Sequence, residues 1–215
     1  MRYKFYREHK FISATLNDVA ESIARADFSS DADTKEVLIK FEALRAILGA
    51  HTHYEDVVLH KLLREKNSTV QAPAEADHQH YKALLATFVQ DLQAILASTD
   101  SAQRIDQGDA FYLSFRKFAS DNLRHLCEEE EIILPELRRL YSNKELCKVE
   151  CSPYESNEQI ASLMKNHFPH MNPNDREAFL TDIKACDPAK FAVAWESIQA
   201  TLEPSERANL TKKLL

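Results

Sequence analysis

Apolar residues recur along the chain at alternating intervals of three and four in four long segments, which are 5–23, 37–62, 78–95 and 111–140. The fourth segment keeps this spacing less strictly than the other three. Because such intervals place side chains on one face of an α-helix, the pattern predicts four amphipathic helices, each with one stripe facing a common core.

The stretches that separate these segments are polar and of short or moderate length, namely 29–33, 67–74 and 98–108. Connections of this length join helices that are antiparallel neighbours. The fold class is therefore expected to be all-α, an up-down-up-down four-helix bundle over residues 1–143.

The periodicity stops after residue 143, and residues 144–156 are predicted to form a linker. An additional C-terminal helical segment, with further short helices, is expected over residues 157–215. Helix starts are predicted at Asn172-Pro173 and at Asp187-Pro188, because a capping side chain followed by proline favours a first helical turn. A last helix is expected after Pro204, and Trp195 is expected to be packed rather than free in solvent.

Composition narrows the classes of function. The formal net charge of −7 and the 44% of hydrophobic residues are typical of a globular protein without an affinity for nucleic acid or anionic membranes. Two glycines in 215 residues argue against glycine-rich nucleotide-binding loops. The sequence contains no apolar run long enough to predict a membrane span and no apolar secretion segment, so the expected location is cytoplasmic. Four cysteines do not predict a disulfide scaffold at this length.

Six polar residues occupy positions where the repeat requires a core residue: His9, His51, Glu55, His78, His125 and Glu129. Three other histidines, His53, His60 and His80, fall off the stripes and are predicted to face solvent or the flank of a helix. Each predicted helix thus contributes one inward histidine, and two helices add a glutamate four residues later.

Residues four apart lie on one face of a helix, so His51 with Glu55 and His125 with Glu129 form two matching pairs of ligands. The second and fourth segments match at an offset of 74 residues, and His9 matches His78 at an offset of 69, which indicates an internal repeat of helix pairs. With ~20 residues between each histidine and the neighbouring turn, antiparallel helices would bring all four imidazoles to one level.

Four imidazoles and two carboxylates are too many ligands for one tetrahedral zinc ion, and they suit two metal ions with the glutamates between them. Iron is the expected metal, and manganese or a mixed pair stays open because ligand type does not separate them. The alternative is a structural polar layer in which histidine and glutamate only bond to each other.

The four segments resemble the hemerythrin-like (HHE) family. The resemblance covers residues 3–143 and rests on REHKFI around His9, His51-x-x-x-Glu55 before DVVLHKLL, DHQHYKALL around His78, and His125-x-x-x-Glu129 before EEIILPEL. It implies that the six residues bind a non-haem di-iron centre, in which the two carboxylates and an oxo or hydroxo group link the metals.

The chain departs from the oxygen-carrying hemerythrins at two positions. Those proteins have a second histidine four residues after the third-helix histidine, where this chain has Lys82, and end with His-x-x-x-x-Asp instead of His-x-x-x-Glu. These departures argue against reversible oxygen carriage. They imply similarity to the bacterial HHE group linked to sensing, iron handling, or defence against oxygen, peroxide and nitric oxide.

The leading hypothesis is a di-iron protein whose partner is a small diatomic ligand, O2 or NO, or peroxide, or one that handles iron. One alternative is a di-iron oxidoreductase acting on peroxide or nitric oxide. Another is a helical signalling module with a regulatory metal site, whose C-terminal segment docks on the bundle or on a protein partner. A second metal site at Cys147-x-x-x-Cys151 is a weaker hypothesis, and Cys127 is expected to be a surface or near-site thiol.

Overall fold

The computed structural model describes residues 6–150 and 156–215, and these residues belong to two compact units. One unit comprises Ile12–Leu137, and the other comprises Met1–Phe11 together with Arg138–Leu215. The division falls within the first helix and within the helix Leu134–Leu140, so each of these two helices contributes to both units. Phe5, the first residue of the predicted stripe, lies outside the described residues.

The larger unit is built from long helices that share one apolar core, and α2 packs on α4, which packs on α5. The helices are α1 (Tyr6–Arg25), α2 (Asp31–Tyr54), α3 (His60–Glu65), α4 (Ala72–Ala97), α5 (Ser101–Glu128) and α6 (Leu134–Leu140). The core draws on every predicted stripe, from Ile12 and Leu16 in α1 to Phe115 and Phe118 in α5. The prediction of an all-α bundle is confirmed.

Helix starts and one close helix contact explain local features of this unit. Ser30 caps α2 by accepting a hydrogen bond from the backbone N–H of Asp33, and Asp100 caps α5 in the same way. Gly108 lies against the ring of Phe28, where an added Cβ would lie 2.2 Å from a ring carbon. Glycine is therefore required at this position by packing.

A π-helical segment interrupts each of the two helices that carry a His-x-x-x-Glu motif. The segments are Glu55–Leu59 (π1) and Glu129–Ile133 (π2), and each begins at the glutamate. A π turn holds one extra residue. All following side chains are therefore rotated by ~100° relative to their positions in an uninterrupted α-helix of the same sequence.

This rotation changes which residues after Glu55 face the core. Leu59 and Leu63 are fully buried, whereas Val58 and Leu62 are only half-buried. The three-and-four spacing of the segment 37–62 places Val58 and Leu62 on its predicted core stripe. That prediction is wrong, because it assumed an uninterrupted α-helix.

The smaller unit has its own apolar core, which includes Trp195 stacked on Phe191. Its elements after the first helix are α7 (Asn143–Glu150), α8 (Asn157–His167), a 3-10 turn (Phe168–His170), α9 (Pro173–Cys186), α10 (Pro188–Ile198) and α11 (Pro204–Leu214). Asn172 and Asp187 cap their helices as predicted. The predicted boundaries at 143 and 156 stay a prediction, and α7 occupies part of the predicted linker.

The first turns of α1 pack within the smaller unit through charged and aromatic contacts. The buried Arg7 guanidinium lies 2.7 Å from a carboxylate oxygen of Asp182 and 5.0 Å from the centre of the Phe179 ring. Lys10 forms an ion pair with Asp175. Residues 7–10 are thus held by side chains of α9.

Among the described helices, none combines the length and the apolar composition needed to cross a lipid bilayer. Cys127 is exposed and free, and Cys186 is disulfide-bonded. The side chains of Cys147 and Cys151 lie outside the part of the chain that the structure describes, so a metal site there stays a hypothesis.

Candidate metal centre

All six predicted site residues are buried. Each His-x-x-x-Glu pair spans the junction of an α-helix with a π segment. His51 lies in the last turn of α2 and Glu55 begins π1, while His125 lies in the last turn of α5 and Glu129 begins π2. His78 lies in α4. The sixth residue, His9, lies in the part of α1 that belongs to the smaller unit.

Within the larger unit, five of the six side chains form two overlapping groups of potential ligand atoms. His51, Glu55 and Glu129 offer atoms that all lie within 4.8 Å of one another. Glu55, His78, His125 and Glu129 do the same. Both carboxylates belong to both groups, which is the arrangement expected of ligands shared by two neighbouring cations.

Nitrogen and oxygen atoms converge closely at this centre. The Nε2 atom of His51 lies 3.3 Å from Glu55 Oε2, and that of His125 lies 3.0 Å from Glu129 Oε1. His78 Nε2 lies 3.4 Å from an oxygen of each glutamate. The internal repeat of the sequence thus corresponds to two matching histidine-glutamate pairs, with His78 between the carboxylates.

Two aspartates that were not predicted from the sequence contact the Nδ1 atoms of two of these histidines and orient their rings. His78 Nδ1 donates to Asp56 Oδ1 at 2.8 Å, and His125 Nδ1 lies 3.3 Å from Asp77 Oδ2. A carboxylate at Nδ1 holds the proton there and directs Nε2 at the centre, as is usual for metal-binding histidines. Asp56 directly follows Glu55 and Asp77 directly precedes His78, and this adjacency was the available signal.

His60 is buried, so the prediction that it faces solvent or a helix flank is wrong. Its ring stacks on His78 at 5.5 Å, and its Nδ1 donates to Asp56 Oδ1 at 3.2 Å. The π segment rotates His60 inward, and the internal repeat pairs it with Leu134, which is also buried. His53 and His80 are exposed, as predicted.

The charges at the centre shift the pKa values of its groups strongly. Burial lowers the pKa of His78, but hydrogen bonds with Glu129 and Glu55 outweigh burial and raise this pKa to about 10. Burial raises the pKa of Glu129, yet hydrogen bonds from His125 and His78 hold it well below its usual range. Burial, together with the neighbouring His78, lowers the pKa of His60 to about 4.

The donor set fits a bound cation. The Nε2 atoms of His78 and His125 face each other at 3.0 Å. With protons held at both Nδ1 atoms by the aspartates, two neutral rings would place lone pairs against each other beside two carboxylates. A positive charge is needed at this point, and a proton on His78 supplies it without metal. Imidazole and carboxylate ligands suit iron, manganese and zinc.

Comparison with known proteins agrees with this chemistry. No curated protein sequence and no solved structure gave a significant match to the chain. A family model, described as Hemerythrin HHE cation binding domain, matches residues 1–137, which include every ligand candidate. The match covers more than half of the 215 residues. The chain belongs to the hemerythrin HHE cation-binding domain family.

Proposed function

We propose that the chain is a dinuclear non-haem iron protein that binds or senses O2, NO or peroxide, or that handles iron. The proposed metal ligands are His9, His51, Glu55, His78, His125 and Glu129, with the two glutamates shared between two iron ions. A pair of manganese ions or a mixed pair is the alternative outcome of metal analysis. A cytoplasmic location stays a prediction of the sequence.

The observation that carries this proposal is the sharing of Glu55 and Glu129 by both groups of potential ligand atoms. A single cation would use the ligand atoms of one group, and the histidine nitrogens of the other group would take no part in metal binding. Two cations give each group its own ion. His9 completes the set in this proposal because it is buried and precedes the core residue Ile12 by three positions on α1.

Two bound iron ions would supply redox-active positions at which a small ligand exchanges. The residues of the chain would hold the metals, orient the ligands and limit the access of water. The two glutamates would hold both metals and would balance part of their positive charge. Asp56 and Asp77 fix the proton positions and ring orientations of His78 and His125, which tunes the basicity of the ligands. The apolar core around the centre limits the access of water.

Iron loading of matched carboxylate variants tests the proposal. We expect the full-length protein to take up about two iron ions per chain under aerobic loading, with near-ultraviolet absorption typical of an oxo-linked pair. Glu129→Gln should hold less than one ion, because a neutral amide replaces the shared carboxylate. Glu131→Gln removes an exposed carboxylate two residues away and should load normally.

Two results would contradict the proposal. One is less than one metal ion per wild-type chain after loading with iron, manganese or both. The other is equal metal content in Glu129→Gln and Glu131→Gln, which would show that the shared carboxylate is not a ligand.

A second candidate function is an oxidoreductase acting on peroxide or nitric oxide. The observation that favours it is a cavity whose lining includes His78, since a substrate in it would lie beside the centre. Stopped-flow decay of hydrogen peroxide, measured for iron-loaded wild type and His125→Ala, separates the two functions. Equal rates in both proteins would eliminate turnover at this site.

A third candidate is a signalling module in which the smaller unit responds to the metal. The favouring observation is that Arg7, two residues before His9, is tied to Asp182 in α9. Metal-dependent change in Trp195 fluorescence would support this function, since Trp195 is the chain's one tryptophan and lies in that unit's core. Identical spectra with and without metal would oppose it.

A further inference from the structure

A cavity of about 420 Å³ opens in the larger unit between α2 and α4. Its volume falls within the range of small-molecule binding sites. Its lining includes Leu48 and Gly49 of α2 and His78 and Leu85 of α4. Asn122 of α5 completes this part of the wall. A molecule bound here would therefore lie next to the candidate metal centre without occupying it.

Asn122 is a polar residue at a core position of this cavity. It is only 4% exposed, it lies three residues before His125, and the internal repeat pairs it with the apolar Leu48. Its Oδ1 atom is buried and has no hydrogen-bond partner within the described part of the chain. A buried carbonyl oxygen without a partner lowers stability, so a ligand group that donates a hydrogen bond would be favoured at this point.

Cationic side chains line the same cavity at exposed positions. Lys82 of α4 has no carboxylate within ion-pair distance among residues 6–150 and 156–215, and Arg45 of α2 bonds to Glu42 at 2.6 Å. The carboxylate in the lining belongs to Asp56, which accepts hydrogen bonds from His78 and His60. Lys82 is thus the lining cation left available to a ligand's negative charge.

Gly49 keeps the cavity open on the side of α2. It lies within a regular helix, and an added Cβ would meet nothing within 4 Å. Glycine within a helix destabilises the helix relative to alanine, and packing does not require glycine at this position. What its small size provides here is open space in the cavity.

We propose that this cavity binds a small organic carboxylate that also carries a hydroxyl or amino hydrogen-bond donor. The carboxylate pairs with Lys82, the donor reaches Oδ1 of Asn122, and the aliphatic middle lies against Leu48 and Leu85. This binding site goes beyond the proposed function and does not depend on the identity of the metal, because its contacts are separate from the ligand groups of the centre.

Calorimetric titration of the full-length protein with three related probes tests the chemistry. The probes are 4-hydroxybutyrate, butyrate, which lacks the donor, and 1,4-butanediol, which lacks the charge. We expect 4-hydroxybutyrate to bind most tightly and each missing group to weaken binding roughly tenfold. Equal binding of all three probes would overturn the proposal.

Variants locate the binding. Gly49→Leu fills the cavity from an open helix position and should abolish binding of 4-hydroxybutyrate, while Lys82→Gln and Asn122→Leu should each weaken it about tenfold. Lys117→Gln removes an exposed lysine of α5 outside the lining and should bind like wild type. Helical content and metal content, measured for every variant, establish that the fold is retained.

Titration before and after metal removal with a chelator separates this proposal from the proposed function. Binding that survives metal removal and is lost in Gly49→Leu supports the cavity, even if the metal is not iron. Binding that is unchanged in Gly49→Leu, or that disappears with the metal while Lys82→Gln binds normally, would show direct coordination to the metal and refute the cavity site.

Discussion

Removing the carboxylate of Asp182 should destabilise the smaller unit strongly. The side chains of Arg7 and Asp182 are only 7% and 11% exposed, and their nearest charged atoms are 2.7 Å apart. Truncation of Asp182 to alanine leaves the guanidinium buried without its counter-ion, which typically costs about 3–5 kcal/mol. The contact of Arg7 with the Phe179 ring remains and offsets only a small part of this loss.

The same unit offers a more exposed ion pair as a matched control. Lys213 and Glu177 form an ion pair with side chains that are 46% and 33% exposed. Lys213→Ala should therefore change the free energy of unfolding by less than about 1 kcal/mol. A second control is the double variant Arg7→Met/Asp182→Leu, which should be close to wild type because no buried charge is left unpaired.

Urea unfolding followed by Trp195 fluorescence is the appropriate assay, because the chain's one tryptophan lies in the core of the smaller unit. Its signal reports this unit even if the two units unfold separately. Iron content should also fall in Asp182→Ala, because Arg7 precedes the proposed ligand His9 by two residues. If Asp182→Ala and Lys213→Ala shift the transition equally, by less than about 1 kcal/mol, the reasoning from burial is refuted.

Three further predictions concern the centre. Asp56→Asn should weaken metal binding about 10–100-fold without removing a ligand, as measured by competition with a chromogenic chelator; unchanged affinity would contradict its orienting role. His51→Ala should lower metal content and leave peptide helicity by circular dichroism near wild type; full loading would exclude His51 as a ligand. In metal-free protein, the pKa of His78 is raised from 6.5 to about 10, so its stabilising contribution is complete below pH 6.5 and is lost as pH rises toward 10, by up to about 5 kcal/mol. Urea unfolding across this pH range in chelator checks it, and a His78→Gln variant with the same pH dependence would refute it.

The bundle and its inward polar residues were predictable because helical periodicity is a property of neighbouring residues. The stripes through Phe41 and Phe115 and the buried positions of His51 and His125 follow from intervals of three and four alone. The helix starts at Asn172 and Asp187 were predictable for a similar reason, since capping depends on a few adjacent side chains.

Features that depend on tertiary contact could not be read from periodicity. The spacing after Glu55 fits an α-helix by accident, and the structure instead inserts a π turn that buries His60. The tie between Arg7 and Asp182 joins positions 175 residues apart, and neither residue lies on a recognisable motif. Asp56 is half-exposed, so its role behind His78 appears only when the imidazole is seen beside it.

The paired π turns give each of these two helices one residue that it can lose near the centre while the core face of the following segment is kept. Val57 and Ile132 lie in these turns and are 51% and 50% exposed, so substitution at either position should be well tolerated. Deleting either residue would convert the wide turn into an ordinary one, and the lost residue and the lost π turn would rotate the later side chains by ~100° in opposite directions. Leu59 and Leu63 would therefore keep their core positions, so losing one codon within a π turn should be far less damaging than losing one from the regular part of the same helix.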